Sequence, residues 1–478
     1  MTPIEWDALL ARSPADVVAV AGDAAWTRLE LEHAARTFAG ALAGRGVHPG
    51  DAVVVALPNS IEFVVTALAV RLCGAAVVNL PAQWRREIVA VAEETQAPVV
   101  VLASDRLQDP SLAPIAGRAL HVDLGASGPA AEQLACDQRD PAWLAYSSGT
   151  TGRPKGAVHT EATLGLMTRN FVDRYGLGPA DSILVAGPLG HAVGYVYGYQ
   201  LALAARATMV LLARWDVHAA ADAIEHHRCT FFAGPTPFLA DVVEHAEGGG
   251  QQAFASLRYL LCGGAPVPLA LLRRARAALP GTLATAYYGS SECGGVTTCP
   301  PDAPEQKVLT TDGRPLPGME VRVDGTELQV RGPQLARGYR GGDPDGRFRP
   351  DGWFATGDEA QIDAQGWVRI GGRLSDLIRR GGVAVAPAEV EQVLAAHPGV
   401  RDVAVVGIGD ERLGERIVAA VVASGSLPRV DVLRALCEQS GLAKVKWPEA
   451  VFGVDALPRS PAGKLLRREL RAGLERSP

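Results

Sequence analysis

Two short stretches of this chain, Val53-Val54-Val55-Ala56-Leu57 and Val99-Val100-Val101-Leu102, are apolar at every position. A strand with one wet face alternates apolar and polar residues; a strand with no polar position must be covered on both faces. Between the two runs, Ile88, Val91, Ala92 and Thr95 recur at helical spacing. Strand, helix and strand in that order predict parallel βαβ units with helices packed on both sides of a sheet. The most apolar window, Phe63 to Ala82, contains Arg71, Gly74 and Asn79, so it reads as a buried helix and strand and not as a membrane span. Similar strand-like runs recur at Ala142–Tyr146 and Leu257–Cys262. The expected class is α/β.

A chain of 478 residues suggests two or three packing units. Its texture changes near residue 370, where Gly371-Gly372-Arg373 follows a compact stretch rich in Gly, Trp and Asp (Asp351 to Gly366). Beyond it, Val390, Val393, Leu394 and His397 follow helical spacing, Val403–Ile408 and Ile417–Val422 read as strands, and Leu433, Leu436 and Cys437 mark a second helix. A large unit of βαβ-type sheets sandwiched by helices, with a β-rich subdomain, is therefore expected over residues 1–372. A small α+β unit is expected over 373–478. The formal net charge of −6 provides no global field to attract nucleic acid or an anionic membrane. Seven widely spaced cysteines without a CxxC predict reduced thiols, not a disulfide framework or a zinc site. Met1 to Asp16 lacks the apolar core of a signal peptide, so a cytoplasmic protein is expected.

Lysine occurs only at positions 155, 307, 444, 446 and 464, which singles out one inside a glycine-rich loop. That loop is Ser147-Ser148-Gly149-Thr150-Thr151-Gly152-Arg153-Pro154-Lys155-Gly156, directly after the apolar run Trp143–Tyr146. Glycines let backbone N–H groups crowd around an anion, and hydroxyls and a lysine add donors and charge. A polyphosphate is the natural ligand. The spacing matches neither the Walker loop nor the dinucleotide fingerprint.

This decapeptide resembles the phosphate loop of the adenylate-forming superfamily, which includes acyl-CoA synthetases, peptide-synthetase adenylation domains and luciferases. Four further segments are similar to the family's motifs, in the family's order. They are Tyr288-Gly289-Ser290-Ser291-Glu292, Gly352–Asp358, Gly372-Arg373-Leu374-Ser375-Asp376 running on to Pro387–Glu391, and Leu457–Lys464. The resemblance covers nearly the whole chain and is strongest to acyl-CoA synthetases. It implies ATP, Mg²⁺ and coenzyme A as cofactors, or a carrier protein's phosphopantetheine arm in place of CoA. It also implies roles. Ser147, Ser148, Gly149, Thr150, Thr151, Gly152 and Lys155 would cradle the phosphates, and Glu292 with Thr151 would hold Mg²⁺. Tyr288 would face adenine, Asp358 and Arg373 would hold the ribose, and Lys464, with Glu292, Ser291 and His191, would serve catalysis. Pushing a carboxylate onto a phosphate opposes like charges, by about 4 kcal/mol per unit pair at 4 Å and an effective dielectric of 20. Cations and oriented donors must offset that repulsion.

For the acyl group, Pro188–Tyr195 resembles the family's pocket-wall segment. His191 stands where amino-acid-activating relatives place an aspartate, which argues against an α-amino acid; an apolar, medium-sized aliphatic or cyclic/aryl acid is the expected substrate class. Phe231, Phe232, Gly263, Gly264, Ala265 and Tyr287 are expected as further walls, and Gly289 is expected to leave space. Gly381-Gly382 would let the pantetheine arm pass close to backbone. Ser375 replaces the family's usual Asp or Lys hinge. The expected reaction is acid activation to acyl-AMP followed by transfer to CoA. Loading of a carrier protein is the alternative, and a non-catalytic nucleotide sensor the lesser one.

Overall fold

The computed structural model describes residues 4–126, 131, 140–147, 154–460 and 465–476. Among them are four sheets. The first has six strands in the order Ala119–Leu120, Val100–Leu102, Ala52–Ala56, Ala76–Asn79, Pro141–Ser147 and Lys155–Thr160. It is parallel throughout except for its last strand. The second has nine strands, with a parallel centre built on Thr208–Leu211, Ser182–Val185, Phe231–Pro235, Tyr259–Gly263 and Leu283–Ser290.

Both apolar runs behave as their composition requires. Val53 and Val55 point into the main core, which they share with the helices Ile61–Leu72 and Glu161–Tyr175. Val54 and Ala56 point the other way, onto the helix Arg86–Glu94 through Ile88, Val91 and Ala92. The second sheet repeats the division, with Ile183, Phe231 and Leu261 on one face and Leu184, Phe232 and Leu260 on the other. The two sheets thus share one core, with helices between them and further helices outside.

The third sheet is antiparallel: Glu320–Asp324, Glu327–Arg331, Phe354–Ile362 and Val368–Arg373. Arg373 still pairs within it, opposite Asp358. A single 3₁₀ turn, Leu374–Asp376, then leads to Ile378–Arg380, which belongs to the fourth sheet. That sheet carries the long hairpin Val400–Asp410 and Gly414–Ala423, packed by the helices Pro387–Leu394 and Val430–Gln439. One expectation fails here. His397 is not on the first of these helices, which ends at Leu394 because Pro398 follows and restricts the residue before it. His397 instead accepts the Gly399 N–H on Nδ1 at 3.0 Å.

A buried ion pair joins two of the core helices. Arg71, in the last turn of Ile61–Leu72, meets Glu161 at the start of Glu161–Tyr175, and the two side chains are 2% and 6% exposed. Removing one partner leaves the other charge uncompensated in the core, so Glu161→Gln should lower unfolding free energy by about 3–5 kcal/mol. An Arg71→Met/Glu161→Leu double variant should recover most of that loss. Urea midpoints of the three proteins measure both effects.

Candidate active site

The strand Leu283–Ser290 ends in Tyr287, Tyr288 and Gly289, and all three line a solvent-open cleft of about 840 Å³. Gly264 and Ala265, past the end of the neighbouring strand, line it too, with Asp358 and Arg373 from the third sheet. Leu465 and Arg467, from the C-terminal segment, are also among its lining residues. Asp358 is buried and held at both oxygens. Tyr288 donates its hydroxyl at 2.6 Å and Arg373 places Nε at 2.8 Å. Burial and the facing carboxylate raise the Tyr288 phenol well above its ordinary range, so it stays a donor.

Glu292 lies in the turn after this strand. Its Oε2 accepts from Ser290 Oγ at 2.6 Å and its Oε1 from Tyr339 at 2.7 Å. Burial works to raise its pKa, but these two bonds and the nearby Arg347 guanidinium outweigh it and hold the carboxyl below the usual range. Behind the turn, His159 is fully buried against Trp143 and donates Nε2–H to the Ser291 carbonyl at 2.7 Å. Lys155 is ion-paired with Asp345 and sits 5.5 Å from the centre of the Tyr339 ring. Ser147, at the end of its strand, pairs with Lys155 across the hairpin. Ser148, Gly149, Thr150, Thr151, Gly152 and Lys464 lie outside the described residues.

A second, solvent-open cavity of about 690 Å³ adjoins the first through Tyr287, Gly264 and Gly289. His191, Ala192, Val193, Tyr197, Pro235, Gly263, Ser290 and Ser291 form its other walls. Burial pushes the His191 imidazole down to about 4, so it is neutral at physiological pH. Its segment is clamped by two buried asparagines that sequence reasoning gave no role. Asn59 receives the Leu189 N–H at 2.7 Å and donates to the Gly187 carbonyl at 3.0 Å, while Asn79 donates to the Leu189 carbonyl at 2.5 Å. Both follow or end strands of the first sheet, so the first sheet positions a wall built by the second.

Two expectations about this cavity need correction. Phe231 and Phe232 are core residues and not walls: both are fully buried, and Phe232 stacks on Trp215. They sit at the start of their strand, whereas the cavity opens at its other end through Pro235. Gly289 does not leave space for bulk, because a Cβ there would lie 2.2 Å from the Gly294 carbonyl oxygen, where the hairpin register shifts. Gly381 and Gly382 form the exposed turn of the hairpin Ile378–Arg380 and Val383–Val385 and line neither cavity. Their φ values of 55° and 82° explain the glycines, and a Cβ on Gly382 would meet nothing within 4 Å.

Comparison with known proteins agrees with this geometry. Residues 5–340 match the family model described as AMP-binding enzyme, and residues 389–464 match the AMP-binding enzyme C-terminal domain. The chain is 32% identical, over 96% of each chain, to a 3-[(3aS,4S,7aS)-7a-methyl-1,5-dioxo-octahydro-1H-inden-4-yl]propanoyl:CoA ligase of Rhodococcus jostii. It is 31% identical to the medium-chain fatty-acid–CoA ligase of Escherichia coli, covering 98% of this chain and 89% of the relative. The crystal structure of ATP-bound MatB from Rhodopseudomonas palustris superposes with a TM-score of 0.90 at 27% identity, covering 100% of this chain and 99% of that one.

Two measurements test the site's construction. Gly289→Ala should unfold at lower denaturant by about 1–3 kcal/mol, because the clash is with backbone and not with a side chain that can turn away. Burial also pushes His159 and His191 from 6.5 down to about 4. The unfolded chain therefore binds more protons between those values, and stability should fall as pH drops from about 6.5 to 4. Each histidine contributes up to about 3 kcal/mol to that fall. Urea midpoints across this window should show the slope, and His191→Asn should lose about half of it.

Proposed function

The chain belongs to the AMP-binding enzyme family, the adenylate-forming superfamily, and is most like an acyl-CoA synthetase; from that premise we propose which of its residues perform each step. The reaction is ATP-dependent activation of a carboxylic acid to acyl-AMP with release of pyrophosphate, then thioester formation with CoA. One observation carries the residue assignment: Tyr288, Gly289, Asp358 and Arg373 share a cleft, and Ser290, which lines the adjoining cavity, hydrogen-bonds the buried Glu292. The hydrogen-bonded carboxylate of Asp358 suits a ribose diol, which supplies two donors. The neighbouring cavity takes the acid, placing its carboxylate near the α-phosphate.

In the first step a carboxylate oxygen attacks the α-phosphorus and the bond to pyrophosphate breaks. Lys464 bridges the two anions there, by family resemblance, and the loop from Ser147 to Gly156 holds the departing phosphates. In the second step the thiol sulfur attacks the acyl carbon, its proton is lost, and AMP leaves. Residues 1–372 form the unit that binds ATP and acid, and 373–478 the unit that turns about Ser375 between the steps. Gly381-Gly382 then border the pantetheine path.

Glu292 fits a magnesium ion. It is held ionised, each oxygen keeps a lone pair beyond its single hydrogen bond, and no described cation pairs with it within 4 Å. Among the described residues no cluster of three His, Cys, Asp or Glu could hold a metal by itself, which suits an ion held by one carboxylate, Thr151 and substrate phosphates. When bound, Mg²⁺ neutralises charge on the phosphates.

An apolar, medium-sized acid, aliphatic or cyclic/aryl, suits the cavity. Its walls include Ala192, Val193, Pro235, Tyr197 and Tyr287, its histidine is neutral, and no carboxylate among its lining residues could hold an α-ammonium. The relatives named above as ligases of a ring-bearing propanoate and of medium-chain fatty acids support the same class. A cytoplasmic setting suits the six described cysteines, all free; no described helix is long and apolar enough to cross a membrane.

Mass spectrometry of a reaction with ATP, Mg²⁺, CoA and a pooled panel of carboxylic acids tests the assignment. An acyl-CoA product is expected; acyl-AMP that accumulates without thioester would make a carrier protein the acceptor. Lys464→Ala should slow adenylate formation by about 10²–10³-fold, the loss typical of one preorganised donor. Unchanged pyrophosphate release in that variant would remove Lys464 from the first step.

A further inference from the structure

The segment Ala336–Arg340 runs across the back of the site and is tied to two parts of it at once. Arg337 N–H donates to the Val158 carbonyl at 2.9 Å, Val158 N–H to the Gly338 carbonyl at 2.9 Å, and Arg340 N–H to the Gly156 carbonyl at 2.8 Å. The segment is thereby an added antiparallel partner of Lys155–Thr160, the strand that leaves the glycine-rich loop. At its other end Ala336 N–H donates to the Glu292 carbonyl at 2.8 Å. Tyr339 sits between these ties. Its hydroxyl donates to Glu292 Oε1 at 2.7 Å, its ring lies under Lys155 Nζ, and Phe348 packs edge-on at 5.2 Å. The side chain is 7% exposed, so neither water nor a surface residue easily replaces that hydroxyl. With Ser290 on Oε2, the Glu292 carboxylate is hydrogen-bonded at both oxygens, which favours one orientation of the group.

We infer that Tyr339 is the positioning residue for Glu292, setting the carboxylate's orientation. The inference rests on the reading of Glu292 as the Mg²⁺ ligand. Tyr339 touches neither nucleotide nor acid in this role; it acts through the carboxylate. Partners that orient a metal ligand typically change metal affinity by 10–100-fold when removed. AMP, which lacks the β- and γ-phosphates, depends on the Tyr288–Asp358–Arg373 end of the cleft and should be indifferent to Tyr339.

The test uses the full-length enzyme without acid, so that no turnover occurs. Mn²⁺ replaces Mg²⁺, its affinity for the enzyme–ATP complex is read by electron paramagnetic resonance, and AMP affinity is read by calorimetry. Tyr339→Phe deletes one oxygen and keeps the ring. It should weaken Mn²⁺ by at least tenfold and leave AMP within about twofold. Unchanged Mn²⁺ affinity, or AMP weakened in parallel, overturns the inference, the second outcome marking a merely structural residue. Glu292→Gln separates the two readings. If it leaves Mn²⁺ affinity intact, the metal assignment itself is wrong and the inference falls with it. If it weakens Mn²⁺ while Tyr339→Phe does not, the metal assignment stands and Tyr339 alone loses its role. The double variant should bind Mn²⁺ no more weakly than Glu292→Gln, since a residue that acts through a carboxylate has nothing to act on once it is gone. Additive losses would count against the inference.

Discussion

Strands buried on both faces are the constraint on which the rest of this molecule depends. Val53 to Ala56 and Ile183 to Val185 have no solvent face on which to carry a polar side chain. Polar chemistry is therefore pushed to the strand ends, where loops meet water. The parallel centre of the nine-stranded sheet gathers its carboxyl ends on one side, and the antiparallel turn after Leu283–Ser290 brings Glu292 back to that same side. Asn59 and Asn79 then carry the constraint across the core by hydrogen-bonding the other sheet's loop.

The charged groups of the site are arranged before any substrate arrives. Asp358 is held by Tyr288 and Arg373, and Glu292 by Ser290 and Tyr339. Each carboxylate is buried, and each would be costly there without such partners. Donors already in place need no reorganisation when charge develops. Arg467 extends this order into the C-terminal unit: it lines the cleft, pairs with Glu391 at 2.7 Å and comes within 3.5 Å of Asp376 beside Ser375. The segment that follows Lys464 is thereby tied to the segment that follows Ser375.

Legibility from sequence divided along a physical line. Residues whose identity answers to local demands were readable: the apolar runs, the helical spacing of Ile88 and Val91, and the ordered motif segments that carry the family. Residues whose role comes from a distant neighbour were not. Tyr339 meets Glu292 across 47 positions, and Asn59 meets Leu189 across 130, and no spacing rule connects such pairs. One glycine misled: Gly289 is required by the Gly294 carbonyl and not by substrate bulk, whereas Gly381 and Gly382 sit in a left-handed turn. Phe231 and Phe232 misled because a phenylalanine near a pocket and one inside a strand are the same letter.

The sequence by itself determined the α/β class and the family, because strand composition, helical period and ordered motifs are properties of short segments. It also located the change of texture near residue 370. Only the tertiary structure decided which oxygen of Glu292 meets which donor, which face of each strand meets which helix, and which glycines are backbone necessities. Those are contacts between segments far apart in the chain, and they come into being only when the two sheets close on their shared core.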